Sequence, residues 1–337
     1  MLEKKALSLF LILFLVVGGV VFSANTVGAK TLKVANYFGT DHPVNNNLNE
    51  VFKKTVEEKT DGEITVQIYP AGQLGSEGEF TEGVRMGNIE MAVTGNMWEQ
   101  FNETISFMQL PYLFVSMDHA YDIMNSQIGE TIYDKHFEEL GINVLGFFSQ
   151  GERAISNTVR PIETPEDAEG IKMRTWQGTT IIELMERLGF DVTVMSMSEL
   201  FTSLQQGVVE AQDNPVSATY HRGWFEVLDY VSLTKHMVAP NYIVINKELF
   251  DEFSDENQEI IREAAQQTVA QIQKDIKIEE AEILEEIQNE MDVKVTRPKI
   301  EPFMEKVLPM IDKFVEDHPE VEDEVNMIQE IGEYYIE

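Results

Sequence analysis

The chain of 337 residues contains no cysteine. That excludes disulfides, thiolate metal sites, Fe–S clusters, cysteine nucleophiles and lipid attachment through a lipobox cysteine. Basic residues are scarce as well. Lys and Arg total 25 against 59 Asp and Glu, a net charge of −34. A surface this acidic repels phosphate backbones, so nucleic acid is not expected as a partner. The six histidines (His42, His119, His136, His221, His236 and His318) make no HExxH and no close ligand pair. GxSxG, GxxxxGK[ST] and GxGxxG are also missing. Metal-assisted and nucleophilic catalysis thus have no support, no metal or cofactor is expected, and the histidines read as surface or structural residues. What is present is globular: 43% hydrophobic and 25% charged residues, over a length sufficient for two domains with real cores.

Lys4 and Lys5 precede an almost wholly apolar run, Ala6 to Phe22, and small residues lead to Val27-Gly28-Ala29. This order reads as a secretory signal peptide over 1–29, cleaved after Ala29; the rival reading is a retained membrane anchor. Either places the protein outside the cytoplasmic membrane, and cleavage would leave it free in a periplasmic or other extracytoplasmic space.

The remaining pattern alternates strand and helix, which implies an α/β fold with a mainly parallel sheet. Strands are expected at 31–37, 63–69, 89–93 and 142–148, with helices at 45–59, 76–86 and 117–140 between them. A second α/β unit opens near Gly151. Its first helix start is Thr164-Pro165-Glu166-Asp167, with a Thr cap, Pro in the first turn and acidic groups facing the dipole. Strands follow at 171–175, 191–195 and 208–212, and a further one at 242–245. From Ser254 to about Glu290 apolar residues recur at helical spacing with one gap, at Glu280. A helix that long, roughly 50 Å at 1.5 Å per residue, either bridges two domains or forms a coiled coil. The polar gap and missing heptads favour bridging. The expected division is 30–150 plus about 240–280 for one domain and 151–239 plus about 281–337 for the other. Residues 251–337 hold 26 acidic and 8 basic side chains. They read as a solvated helical face, or as adaptation to a saline exterior that screens the self-repulsion.

In a chain so poor in cations, Arg174 stands out because it ends the strand Ile171-Lys172-Met173-Arg174 beside Trp176, and Arg153 opens the same unit. Ligands of open α/β sheets sit past the carboxyl ends of strands. A guanidinium there either grips a carboxylate through two parallel bonds or pairs with one of the many acidic side chains. Asn214, before Pro215, ends another strand and either orients a ligand oxygen or fixes the turn. Glu77 and Asn96 occupy equivalent places in the first unit.

The run from Thr164-Pro165-Glu166-Asp167 through Lys172-Met173-Arg174 resembles the extracytoplasmic solute receptors of TRAP transporters, the DctP type. The resemblance continues through Met195-Ser196-Met197-Ser198-Glu199-Leu200 and from Leu204 to Asp213-Asn214-Pro215. It recurs at Tyr69-Pro70-Ala71-Gly72-Gln73-Leu74-Gly75, Leu110-Pro111-Tyr112-Leu113-Phe114 and Asp118-His119-Ala120. It implies a two-domain periplasmic-binding-protein-like fold with a ligand cleft, crossing strands and a long bridging helix. It also implies capture of an organic acid anion (a C4-dicarboxylate, a uronate or another sugar acid) for TRAP membrane permease subunits, with no enzymatic activity. By the same resemblance Arg174 clamps the carboxylate, Arg153 and Asn214 support it, Met197 is an apolar cleft residue and Glu77 a polar contact of the first domain. Two features depart from the family pattern: the bulky Trp176 after the key arginine, and Asp213 where glutamate is commoner. The alternatives are a receptor serving a membrane histidine kinase and an exported lyase or isomerase of organic acids. The latter would need an acid/base pair, and none is evident.

Overall fold

The structure, a computed structural model, describes residues 29–335. The proposed signal sequence lies outside the described residues, save for Ala29 itself. Ten strands form one connected sheet system. The main path runs β2 (Ile64–Tyr69), β1 (Lys30–Ala35), β3 (Met91–Thr94), β9 (Val238–Asn246), β4 (Ile142–Asn157), β7 (Ala211–Pro215), β5 (Lys172–Thr175) and β6 (Asp191–Val194). Off this path, β8 (Tyr230–Ser232) pairs with β4 and with β10 (Lys294–Thr296).

The expected parallel sheet holds within each half, since β1 pairs in parallel with β2 and β3, and β5 with β6 and β7. It fails at the centre. β9 runs antiparallel to both β3 and β4, and β4 antiparallel to β7. The reason is that β4 does not stop near residue 148. It continues for sixteen residues through the point where a second unit was expected to open. A register shift between Ser149 and Glu152 bends it there, and Gly151 takes φ +136, a conformation open only to glycine at no steric cost. β4 and β9 are therefore crossing strands shared by two lobes, and Gly151 lies inside one of them.

The helix expected over 117–140 is broken into Met117–Met124 and Gln127–His136, because Ser126 caps a new helix by accepting the Ile128 N–H. The short strand β8 carried no pattern that the sequence reading detected.

The long helix is continuous over Asp255–Asn289, about 52 Å at 1.5 Å per residue. Ser254 caps it, its Oγ accepting the Asn257 N–H at 3.2 Å. Ile261, Ala265, Val269, Ile272 and Ile276 pack with Phe52, Phe148 and Ile243 of the first lobe. Ile283 and Ile287 pack instead with Leu200, Trp224 and Val231 of the second. The helix bridges, and the polar gap at Glu280 is where its apolar stripe changes lobes. The closing helices divide too. Phe303, Val307 and Met310 pack with Met173 and Leu184 of the second lobe. Ile311, Val321, Val325 and Ile328 pack with Phe80 and Trp98 of the first. The chain after residue 310 thus returns to the first lobe, unlike the expected grouping of 281–337 with the second.

Candidate functional site

The carboxyl ends of both parallel half-sheets face one cavity of about 690 Å³. All seven residues singled out in the sequence line it: Glu77, Asn96, Arg153, Arg174, Trp176, Met197 and Asn214. All but Arg153 follow a strand or stand near its carboxyl end; Arg153 lies inside the crossing strand β4, just past its bend at Gly151.

Arg174, the last but one residue of β5, is 2% exposed. Its Nε donates to the Met195 carbonyl at 3.0 Å, which fixes the guanidinium plane. Its Nη1 is buried with no hydrogen-bond partner among the described residues. Burial pulls its pKa down to about 10, with Arg153 and Arg222 adding to that and Asp213 opposing it. A buried guanidinium nitrogen beside a cavity is able to donate to an anionic oxygen there.

Arg153 is different. Its Nε donates to Asp213 Oδ2 at 2.6 Å, and its Nη2 to the Asp213 carbonyl at 2.7 Å and to Asn214 Oδ1 at 3.3 Å. Asp213 is wholly buried. Burial alone would raise its carboxyl, but Arg153 and His236 hold it well below the usual range. The His236 ring lies 3.3 Å from the same oxygen and 2.8 Å from Thr234 Oγ1. Arg153 is thus neutralised by the protein, and its guanidinium stacks 4.5 Å from the Trp176 ring. Asn214 has its amide turned inward, donating to Gln212 Oε1 at 2.6 Å. In this geometry both of its polar atoms are engaged by neighbours. Met197 is partly exposed at the rim.

On the opposite wall, Glu77 begins a helix, Glu77–Arg85, whose capping box is made by Ser76 and Glu79. Glu77 Oε1 accepts the Gly95 N–H at 2.6 Å. Burial nevertheless pushes its carboxyl up to about 7, against the lowering effects of that bond and of Arg222. Asn96 Oδ1 is buried without a partner among the described residues.

Among the cavity residues not singled out from the sequence are Tyr37, Asn241 and Arg222. Tyr37 donates its hydroxyl to Asn241 Oδ1. Both line the cavity, as does Arg222, a third guanidinium, which follows the short helix Val216–His221. Tyr37 sits two residues beyond β1, so the strand-end rule used for Asn96 would have found it. Arg222 has no strand-end signature; only the tertiary path of that helix carries it inward.

His42, His221 and Glu279 also gather, one atom of each lying within 4.8 Å of the others. His42 Nδ1 accepts the Val44 N–H at 3.2 Å. With Nδ1 accepting, the neutral ring carries its proton on Nε2, which is buried without a hydrogen-bond partner among the described residues. His221 Nε2 contacts Glu279 Oε1 at 2.9 Å. The cluster is a hydrogen-bonding group at the lobe junction.

The profile of bacterial extracellular solute-binding proteins of family 7, DctP, matches residues 34–317. This chain belongs to that family. A solute-binding protein of Chromohalobacter salexigens is 32% identical over 83% of this chain and 84% of its own length. A TRAP periplasmic solute-binding protein from a Sulfitobacter species, solved with bound β-D-galacturonate, is 31% identical. It superposes with a TM-score of 0.84 over 89% of this chain and all of that one. A TRAP periplasmic solute-binding protein of C. salexigens with bound D-glucuronate has a TM-score of 0.85, 29% identity and coverage of 89% and 99%. The DctP protein is thus a TRAP-type extracytoplasmic solute receptor with the two-domain fold of that family, and its family is one of binding proteins, not enzymes. No helix among the described residues is long and apolar enough to cross a membrane.

Proposed function

We propose that the cavity binds the carboxylate of a hydroxylated sugar acid of the uronate type, with Arg174 as the anchor, for delivery to TRAP permease subunits. The observation that carries this reading is the buried, partnerless Nη1 of Arg174 facing the cavity. A carboxylate there receives charge-assisted bonds in a site that lobe closure dries, where they strengthen. Arg153, tied to Asp213, acts as a fixed platform under Trp176. Asn214 steadies that platform, Met197 supplies an apolar rim, and Glu77 and Asn96 accept ligand hydroxyl protons from the other lobe. The similar structures with bound glucuronate and galacturonate support uronates as the first class to try. The protein's net charge of −34 repels anions at long range, so attraction is local and ambient salt assists it. Two details of organisation belong to the same proposal. Residues 1–29 are a cleaved export signal, which leaves the receptor free outside the cytoplasmic membrane. The second lobe comprises 151–239 and about 281–310, and the final helices belong with the first.

The test is a thermal-shift and calorimetric screen of uronates, aldonates and C4-dicarboxylates at two salt concentrations, with Arg174→Ala beside the parent. Losing one partner of a buried charge pair costs about 2–5 kcal/mol, roughly thirty- to several-thousand-fold in affinity. Arg174→Ala is therefore expected to lose measurable binding while keeping its circular dichroism spectrum. Retention of affinity within a few-fold of the parent removes the carboxylate-anchor assignment.

A further inference from the structure

The two lobes meet at a second point beside the cavity, and the polar groups there are incompletely satisfied. Trp176, above Arg153, has its indole Nε1 buried with no hydrogen-bond partner among the described residues. Glu99 belongs to the short helix Asn96–Gln100 that follows β3 on the opposite wall. Its carboxylate receives a single long bond, from Gln109 Nε2 at 3.4 Å. Between the two groups lies Gly178. A methyl group there would stand 2.8 Å from Glu99 Oε1 and 2.8 Å from Trp176 Nε1. The Gly178 backbone is extended, at φ −140 and ψ 134, which any residue adopts. What excludes a side chain is the crowding of those two polar atoms into one small volume.

We propose that Glu99 is a positioning residue: it accepts the Trp176 indole N–H across the cleft and so fixes the ring over Arg153 as the wall of the ligand cavity. The consequence for the ligand rests on the carboxylate reading above; the contact itself does not. An indole N–H is a donor only and needs an acceptor when buried. A carboxylate is the strongest acceptor within reach. The contact joins the first lobe to the second at the cavity edge, so it adds to closure whatever the ligand's own bonds supply. Gly178 keeps the gap open for it. The charged group acting on Glu99 is Glu103, at the start of the next short helix, Glu103–Gln109. Burial and then Glu103 raise the Glu99 carboxyl to about 7, against the Gln109 bond. The charge-assisted form of the contact therefore prevails above that pH.

The experiment uses full-length receptor labelled with 15N at tryptophan, which gives three indole signals for its three tryptophans; Trp176→Phe identifies one. Without ligand, the Trp176 signal is expected to shift with pH around 7 in the parent and to lose that transition in Glu99→Gln. A Trp176 signal that ignores pH in the parent overturns the contact. With D-glucuronate as probe, Glu99→Ala and Trp176→Phe should each weaken binding about five- to tenfold, the worth of one hydrogen bond. The double variant should be no weaker than the weaker single, and Gly178→Ala should lower affinity likewise. Additive losses, or an unchanged affinity in Glu99→Ala, overturn the positioning role. If the parent binds no organic acid at all, the carboxylate reading fails, while the ligand-free indole titration still decides the contact.

Discussion

The two walls of the cavity are built from the same parts, the carboxyl ends of short parallel strands, yet they carry opposite chemistry. The wall on β4, β5 and β7 presents guanidinium groups: Arg174 on β5, with a nitrogen that has no partner among the described residues, and Arg153 on β4, tied down by Asp213. The wall on β1 and β3 presents acceptors: Glu77 on the Gly95 N–H, and Asn96 with a partnerless oxygen. In our proposal one wall takes the carboxylate and the other the hydroxyl protons. A ligand satisfies both only by lying between them, which ties binding to closure of the lobes. The two arginines teach a similar lesson on a smaller scale. They stand on β4 and β5 of one lobe, with β7 between them, and in our proposal the difference between an anchor and a platform is a single buried aspartate.

The contrast is broken most severely by removing that aspartate. Asp213→Ala leaves Arg153 buried without its counter-charge and is expected to destabilise the protein by about 3–5 kcal/mol, read as a lower midpoint in urea. If the midpoint is unchanged, Arg153 is not held by Asp213 and the two arginines are equivalent. Exchange of each arginine for lysine sharpens the same point. Arg174→Lys keeps the charge but not the planar fork, and should weaken uronate binding by about ten- to a hundredfold, or ~1.4–2.7 kcal/mol. Arg153→Lys should act mainly on stability, and a larger loss of affinity there than in Arg174→Lys reverses the assignment.

A smaller effect separates the walls by pH. Glu77 and Glu280 are both raised to about 7, chiefly by burial. For a carboxyl whose folded pKa lies above its unfolded one, the stability contribution is full below about 4.5 and is lost as pH rises through about 7. Burial lowers the pKa of His42, His119, His136 and His236, which act in the opposite sense as pH rises through about 6.5, so the comparison is between variants: from pH 5.5 to 8 the urea midpoint of ligand-free Glu77→Gln should rise more, or fall less, than that of the parent. Asp213 has the opposite sign, but its window lies below the ordinary carboxylate range and does not overlap. An identical pH dependence in the parent and Glu77→Gln contradicts the picture. The smallest effect is expected far from either wall. Lys30 and Glu252 form an exposed ion pair at 2.7 Å, and Lys30→Ala should shift stability by no more than about 1 kcal/mol.

Much of this was legible in the residues. The motif run through Lys172-Met173-Arg174 and Asp213-Asn214-Pro215 placed the key side chains on strand ends, and strand ends are where such sheets hold ligands. The apolar steps from Ile261 to Ile287, with their gap at Glu280, gave the bridging helix, because a stripe interrupted once must meet two separate cores. Short-range rules of period, cap and turn suffice for features of that kind.

Other features depend on contacts between residues far apart in the chain. That Gly151 lies within a strand follows from β4 pairing with β9, more than eighty residues away in the chain. That Arg174 keeps a vacant nitrogen while Arg153 does not follows from the reach of Asp213. That Arg222, Tyr37 and Asn241 join the cavity follows from how helices and crossing strands pack. The sequence by itself determined most element types, the acidity and the strand-end position of Arg174, since these are local or compositional. Only the tertiary structure decided which polar groups are buried without partners, because burial and satisfaction are properties of neighbours, and neighbours are chosen by packing.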